Sequence, residues 1–158
     1  MRVPMPAFIT RSVNRRSPAE TFAYMTTLGN WPTFRGFGPL PGIRAASTPD
    51  GTLAVGTRVR VENTDNTVHH ECITGFEPGR RYAVSMELVS PAAFLLARID
   101  EEVILSDTPQ GTEVWRRFEM VPRGFWAWPL VALIASCLLR PAVQRHDRVV
   151  AEALNAQG

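Results

Sequence analysis

The C-terminal stretch of the chain decides the fold: residues 125–154 are FWAWPLVALIASCLLRPAVQRHDRVVAEAL. Its first part, residues 125–139, carries no charge over 15 residues. That length is short of the ~20 apolar residues that a membrane-spanning helix needs. We therefore predict a helix that is buried on nearly all sides.

Beyond residue 140 the same stretch becomes amphipathic. One stripe at helical spacing is apolar except for a histidine: Leu139, Val143, His146, Val150 and Leu154. The charged residues lie on a different stripe: Arg145, Arg148 and Glu152. This pattern is typical of a helix that packs one face against another layer. Because proline lacks a backbone N–H, we expect Pro141 to kink or restart the helix.

Six strand-like runs precede this helix, at about 42–47, 57–63, 67–76, 81–89, 97–106 and 112–121. Residues that favour turns separate them: PDG at 49–51, NTDN at 63–66, EPGR at 77–80 and TPQG at 108–111. Short connections between successive strands imply antiparallel pairing. Apolar and polar residues alternate along the runs, so one face of the sheet is apolar and needs the C-terminal helix as its cover.

The N-terminal part predicts a strand followed by a pair of short helices. Residues 8–15, FITRSVNR, are typical of a strand. The sequence SPAE at 17–20 offers a serine for the N-cap, a proline for the first helical position and a glutamate for the third, which together form a capping box. Gly29 ends this helix, and NWPTF at 30–34 predicts a turn or one extra helical turn. Residues 35–42, rich in glycine and proline, form a loop.

Composition narrows the function. At 158 residues the chain fits one domain, which we place over residues 1–158. The formal net charge of +2 is spread without a basic block, which argues against nucleic acid as a partner. All 17 basic residues are arginines, and without lysine there is neither Schiff-base catalysis nor a P-loop. Cys72 and Cys137 lie far apart and predict free thiols in a reducing cytoplasm.

Four segments carry a resemblance to a known family: SPAETFAYMTTLGNWPTF at 17–34, GFEPGRRY at 75–82, GTEVWRRFEMVPRG at 111–124 and LLRPAVQRHDRVVAEAL at 138–154. In this order they resemble the START-like, helix-grip (SRPBCC) superfamily, and within it the bacterial polyketide cyclase/dehydrase and lipid-transport group. The resemblance implies an α+β fold, with a seven-stranded antiparallel sheet wrapped around a long C-terminal helix. It also implies an apolar cavity for a lipid, polyketide, sterol or quinone. The group shares no invariant catalytic set, so the resemblance implies no particular reaction.

Charged residues at inward-facing strand positions are candidates for a ligand site. Arg116 alternates with apolar residues in the last strand, and Glu101 has the same parity one strand earlier. Pairing through a turn at 107–111 places Glu101 opposite Arg117, or near Arg116 if one residue bulges. We hypothesise that Arg116 anchors a ligand carboxylate or enolate and that Glu101 holds it in place. The alternatives are a salt bridge at a sheet end, or a bulge that turns Arg116 outward.

Histidines give further candidates. His146 on the apolar helix stripe could act as a general base or bind a ligand carbonyl. The alternatives are a core histidine bonded to a strand carbonyl and a surface histidine near the helix end. One face of a strand can present His70 with Cys72, or His69 with Glu71, but not all four. We therefore expect no metal site here and keep His70 as a possible pocket residue.

The remaining candidates are apolar or aromatic. Those that we expect in the pocket wall are Tyr82, Met86, Phe118, Phe94 and Trp31. The apolar segments 94–96 and 125–139 could touch a membrane transiently or pair two subunits as a homodimer, with plain burial as the alternative.

Three functions remain open at this point. The first is a carrier or sensor for a small hydrophobic molecule, the second is a cyclase or dehydratase that uses Arg116 or His146, and the third is a protein-interaction module. The sequence contains no nucleophile elbow, glycine-rich phosphate loop, paired-carboxylate motif or metal-ligand spacing. We favour the carrier or sensor and expect no cofactor, because a pocket with few convergent polar groups is typical of binding.

Overall fold

A computed structural model of the protein describes residues 4–89 and 91–157, so the outermost residues of the predicted 1–158 domain lie outside the described residues. The strands are β1 (Ala7–Asn14), β2 (Ile43–Ser47), β3 (Arg58–Asn63), β4 (Val68–Glu77), β5 (Arg81–Glu87), β6 (Leu96–Thr108) and β7 (Gly111–Pro122). They form one antiparallel sheet in the order β1-β7-β6-β5-β4-β3-β2. The predicted seven-stranded antiparallel sheet is therefore confirmed, although β5 ends two residues earlier than expected.

The register between β6 and β7 differs from the prediction. Glu101 lies opposite Phe118, not opposite Arg117, and no bulge displaces Arg116, which pairs with Val103. The pairing is shifted by one position because the hairpin closes between Thr108 and Gly111. Since side chains alternate between the two faces of a strand, this register places Glu101 and Arg116 diagonally on the same inner face.

The predicted N-terminal helix pair forms, but the first helix ends at Thr26 and not at Gly29, which lies inside the second helix. Helix α1 (Pro18–Thr26) begins with a complete capping box, because the Ser17 hydroxyl accepts a hydrogen bond from the Glu20 N–H and the Glu20 carboxylate accepts one from the Ser17 N–H. A 3₁₀ helix follows at Leu28–Thr33. The Trp31 indole N–H donates to the carbonyl oxygen of Met25 at 3.0 Å and fixes the two helices together.

The C-terminal helix crosses the inner face of the sheet. A short helix, α2 (Ala92–Leu95), precedes β6, and the long helix α3 (Phe125–Ala156) ends the chain. The predicted inner stripe of α3 is confirmed, because Val143, Val150 and Leu154 are buried. We had predicted that the first half of α3 is buried on nearly all sides, and this prediction was wrong. One face packs on the sheet, and among residues 4–89 and 91–157 no second layer covers the outer face, where Phe125 is 85% exposed.

Helix α3 also does not restart at Pro141. A π-helical segment at Ala135–Leu139 precedes the proline, and the N–H of Arg140 bonds to the carbonyl of Ala135, five residues back. Helix bulges of this kind accommodate local disruptions without ending the helix. The chain therefore continues through Pro141 as one helix.

Helix α3 is long and apolar enough to cross a membrane by length and composition alone, with a mean hydropathy of 1.5 in its most apolar window. Within that window, 33% of the residues are buried in the fold. The second half of the helix carries Arg145, Asp147 and Arg148, and its apolar stripe packs on the sheet. The second half is therefore an amphipathic helix that packs on the sheet.

The core consists of two clusters on either side of the Arg116 position. One cluster joins α1 to strands β3–β7 and the C-terminal end of α3, with Phe22, Val61 and Leu154 among its members. The other joins β1, β6 and β7 to the first half of α3, with Phe8 and Val131 among its members. A cavity lined by residues of both clusters separates them.

Candidate functional site

A cavity of about 370 Å³ lies between the inner face of the sheet, the 3₁₀ helix and helix α3. This volume falls in the range of about 300–1,000 Å³ that small-molecule pockets occupy. Most of its wall is apolar, with contributions from Phe34, Leu40, Leu88, Ile99 and Leu139 among others. The cavity therefore combines a largely apolar wall with a small number of polar groups.

Seven of the nine predicted site residues line the cavity: Arg116, Glu101, His146, Tyr82, Met86, Phe118 and Trp31. His70 and Phe94 do not. His70 lies on the outer face of β4, and its neighbours His69 and Glu71 occupy the inner face instead. Phe94 is 70% exposed and packs against Trp126 outside the cavity. The structure places these two residues outside the wall in which we expected them, because neither the inward face of β4 nor the exposure of α2 follows from the local sequence pattern.

Arg116 is the centre of the polar group. Its side chain is buried, and Nε and Nη2 donate to the same carboxylate oxygen of Glu101 at 3.0 and 2.9 Å. Its Nη1 donates to a carboxylate oxygen of Asp147 at 2.8 Å. Two carboxylates thus compensate one buried guanidinium, as a charge in a low-dielectric interior requires.

The pairing also sets the charge of these groups. Burial alone would lower the pKa of Arg116, but the negative charges of Glu101 and Asp147 outweigh burial and raise it. Burial raises the pKa of Glu101, and the positive charge of Arg116 opposes that shift. Burial, reinforced by the nearby Glu101 carboxylate, raises the pKa of Tyr82, so its hydroxyl stays neutral. The polar part of the wall therefore contains a fixed cation, Arg116, and a neutral phenol, Tyr82.

His146 is held as a neutral ring with a defined tautomer. Its Nδ1 lies 2.9 Å from Nη1 of Arg116, and because arginine only donates, Nδ1 must accept. The proton is therefore on Nε2, which donates to the Thr33 hydroxyl at 2.9 Å, and that hydroxyl donates to the carbonyl of Asn30. Burial and the positive charge of Arg116 lower the pKa of His146 to about 2.

These contacts change two sequence-based interpretations. His146 bonds to Arg116 and Thr33 and not to a strand carbonyl, and its lone pair is already occupied. Arg116 points inward and makes four hydrogen bonds with its five N–H groups, so it retains little capacity for a ligand carboxylate. Glu101 does hold Arg116 in place, as hypothesised.

A second polar pair lies on the inner face of β4. His69 Nδ1 accepts from the Asn63 side-chain amide at 2.9 Å, so its Nε2 carries the proton that bonds to Glu71 at 3.1 Å. Glu71 is only 4% exposed, and it lines the cavity. Within residues 4–89 and 91–157, no three His, Cys, Asp or Glu side chains are arranged to hold a metal ion.

Sequence reasoning missed several polar residues of the site: Asp147, Thr33, His69 as a wall residue, and Glu71. Asp147 was recognisable, because it lies four residues after Val143 and three before Val150, which places it on the buried stripe. A buried carboxylate on that stripe, facing a strand with an inward arginine, is a signal for an ion pair. The face chosen by β4 had no comparable signal.

Comparison with known proteins gives the fold. The sequence matches no protein-family model, and no curated protein is significantly similar to it. Among solved structures, protein MLL2253 from Mesorhizobium loti is similar with a TM-score of 0.74 and 14% identity, over 96% of this chain and 98% of that one. Ara h 8.0201 has a TM-score of 0.72 and 12% identity, over 96% of this chain and 98% of its own.

A third similar structure is the di-domain ARO/CYC StfQ from the steffimycin biosynthetic pathway, with a TM-score of 0.72 and 11% identity. The similarity covers 98% of this chain and 52% of StfQ. The protein therefore has the helix-grip fold. The sequence resemblance implied this fold.

Proposed function

We propose that the protein binds a small hydrophobic molecule, such as a lipid, polyketide or quinone, in the cavity and acts as its carrier or sensor. The observation that carries this proposal is the apolar cavity of about 370 Å³ between the sheet and helix α3. An apolar cavity of this size favours an apolar occupant, because the atoms of the wall gain contact partners from it. A ligand that fills it supplies those contacts.

The second function, a cyclase or dehydratase that uses Arg116 or His146, has less support. A general base needs a free lone pair, and the lone pair of His146 accepts from Arg116. The donors of Arg116 are committed to Glu101 and Asp147. The similarity to ARO/CYC proteins, at 11% identity, concerns the fold and carries no reaction to this chain.

A dye-binding titration with a matched pair of variants tests the binding proposal. Met86 lines the cavity, and Met86→Trp should reduce the affinity for a hydrophobic fluorescent dye by about tenfold or more, because the indole occupies ligand space. Ile104 is 40% exposed on the outer face of the neighbouring strand, and Ile104→Trp should leave the affinity unchanged. Equal affinities for the two variants, or no dye binding by the unaltered protein, would contradict the proposal.

We also propose that an exposed apolar surface next to the cavity contacts a membrane with anionic lipids. This surface, the α2–α3 patch, comprises Phe94, Phe125, Trp126, Leu130 and Leu133. Aromatic and leucine side chains grouped on one exposed face are typical of helices that lie in a membrane interface.

The positive charge near the α2–α3 patch favours an anionic bilayer as the surface that binds it. Between Glu119 and Asp147 there is no acidic residue, whereas Arg123, Arg140 and Arg145 fall in that interval. Each arginine near an anionic surface contributes about 1 kcal/mol of attraction. Because Pro91 and Ala92 line the cavity beside α2, a lipid leaving the bilayer would have a short path inward.

Vesicle co-sedimentation tests the membrane proposal. The protein should bind vesicles of phosphatidylcholine mixed with phosphatidylglycerol better than pure phosphatidylcholine, and the double variant Phe125→Ser/Trp126→Ser should lose about tenfold in affinity. The control is Ile9→Ser/Ile104→Ser, which removes two exposed apolar residues from the outer face of the sheet. Equal binding by both double variants would contradict the proposal, as would a homodimer or a protein complex that covers the α2–α3 patch in solution.

We propose a cytoplasmic location for the carrier.

A further inference from the structure

We infer that the ligand presents a hydrogen-bond donor, a hydroxyl or an amine, to the polar end of the cavity, and that carboxylates and other anions are disfavoured there. The inference rests on the proposed binding function and specifies the chemistry of its ligand. It depends on which polar atoms in the cavity remain free once the contacts among the described residues are assigned.

The free polar atoms are acceptors. Of the two carboxylate oxygens of Glu101, Arg116 bonds only to Oε1. Of the two carboxylate oxygens of Glu71, His69 likewise bonds only to Oε1. Within the described part of the chain, Oε2 of each glutamate receives no hydrogen bond, and neither atom is sealed away from solvent. Because both side chains are buried and line the cavity, these two oxygens are open to its interior.

The free donors are few. Four N–H groups of Arg116 are already engaged, and His146 Nε2 is bonded to Thr33. The Tyr82 hydroxyl lines the cavity, has no partner among residues 4–89 and 91–157, and offers a single donor. Carboxylate acceptors left without a donor in a buried site are costly, so a ligand that donates to them gains more than one that does not.

The negative charge of the cavity wall also disfavours anionic ligands. Among the described residues around the cavity, three buried acidic side chains, Glu71, Glu101 and Asp147, outnumber the buried cation Arg116, which pairs with the last two. His146 is neutral. In a low-dielectric cavity, a ligand carboxylate would be repelled by the buried carboxylates of Glu71 and Glu101 in the wall. A phenol, an alcohol or an ammonium group would be attracted.

Isothermal titration with four naphthalenes of similar size tests the inference. These are 2-naphthol, 2-naphthylmethylamine, 2-methoxynaphthalene, which has no donor, and 2-naphthoate, which is an anion. The naphthol and the amine should each bind at least about tenfold tighter than the methoxy compound, a difference of about 1.4 kcal/mol, and the naphthoate should bind most weakly. Binding of the naphthol alone would identify a hydroxyl ligand, and binding of the amine alone would identify a cation.

A matched pair of variants locates the effect. Glu71→Gln removes a charge from the cavity wall while keeping the side-chain shape, and it should reduce the advantage of the amine by about tenfold. Glu87→Gln, on the exposed outer face of β5, should change nothing. If the hydrophobic dye binds but the methoxy compound or the naphthoate binds as tightly as the naphthol and the amine, the inference is overturned and the proposed function stands. If neither the dye nor any naphthalene binds, both fail.

Discussion

Arg116 on β7 and Asp147 on helix α3 form a buried ion pair with a 2.8 Å hydrogen bond, although they are 31 residues apart in sequence. This contact joins the last strand to the helix that crosses it, at the boundary between the two core clusters. Glu101 on the adjacent strand β6 forms a second ion pair with Arg116. One arginine therefore links the sheet, the helix and the polar end of the cavity.

Replacing the arginine should destabilise the fold strongly. In Arg116→Met, two buried carboxylates lose their cation, and we expect the free energy of unfolding to fall by about 3–5 kcal/mol at neutral pH. The measurement is urea denaturation followed by circular dichroism. Arg117→Met is the control, because Arg117 is exposed and its ion pair with Glu119 should contribute no more than about 1 kcal/mol. Similar losses in the two variants would contradict the role assigned to Arg116.

The neutral His146 should make stability fall in acid. Its pKa is about 2 in the folded protein, against about 6.5 in an unfolded chain, so the unfolded state binds the extra proton below pH 6.5. The contribution of His146 is therefore full above that pH and decreases by up to about 1.4 kcal/mol per pH unit below it. Glu101, whose pKa is raised, acts in the opposite direction.

Urea titrations between about pH 5 and pH 8, an interval that brackets the pKa of an unfolded histidine, measure how the free energy of unfolding depends on pH. Stability of the unaltered protein should rise more steeply from acid to neutral than that of His146→Gln, which retains a hydrogen-bonding group but does not titrate. His70→Gln, on the outer face of β4, should keep the steep dependence. Parallel curves for the protein and His146→Gln would show that the ring is not held neutral.

Sequence predicted the parts of the fold that local chemistry determines. The capping box at Ser17 and Glu20 formed because its two hydrogen bonds link residues three apart. Strand directions followed from the turns. The exposure of Phe125 and Trp126 could not be predicted, because an uncharged helical stretch does not specify how many layers cover it.

The site was only half predictable for a related reason. Inward parity identified Arg116 and Glu101, but their partner Asp147 comes from a different element, and only the tertiary packing brings it within reach. The inner face of β4 depends on the register with β3 and β5, so His69 and His70 were indistinguishable from local sequence.

Removal of the N-cap tests how much the capping box of α1 stabilises the fold. Ser17→Ala should lower the free energy of unfolding by about 1 kcal/mol, because the Glu20 N–H loses its acceptor. Thr27→Ala, at the other end of α1, where the hydroxyl bonds back to the carbonyl of Ala23, should cost less. Thermal denaturation of both variants measures the difference, and an equal or larger loss for Thr27→Ala would refute the assignment.

Native mass spectrometry of the freshly purified protein tests the binding function most directly. If the protein is a carrier, the spectrum contains a second species whose mass exceeds that of the chain by one small hydrophobic molecule. This molecule can be extracted into organic solvent, and the second species is reduced in Met86→Trp. A spectrum that shows only the bare chain, combined with no binding of the dye or of any naphthalene probe, would contradict the binding function.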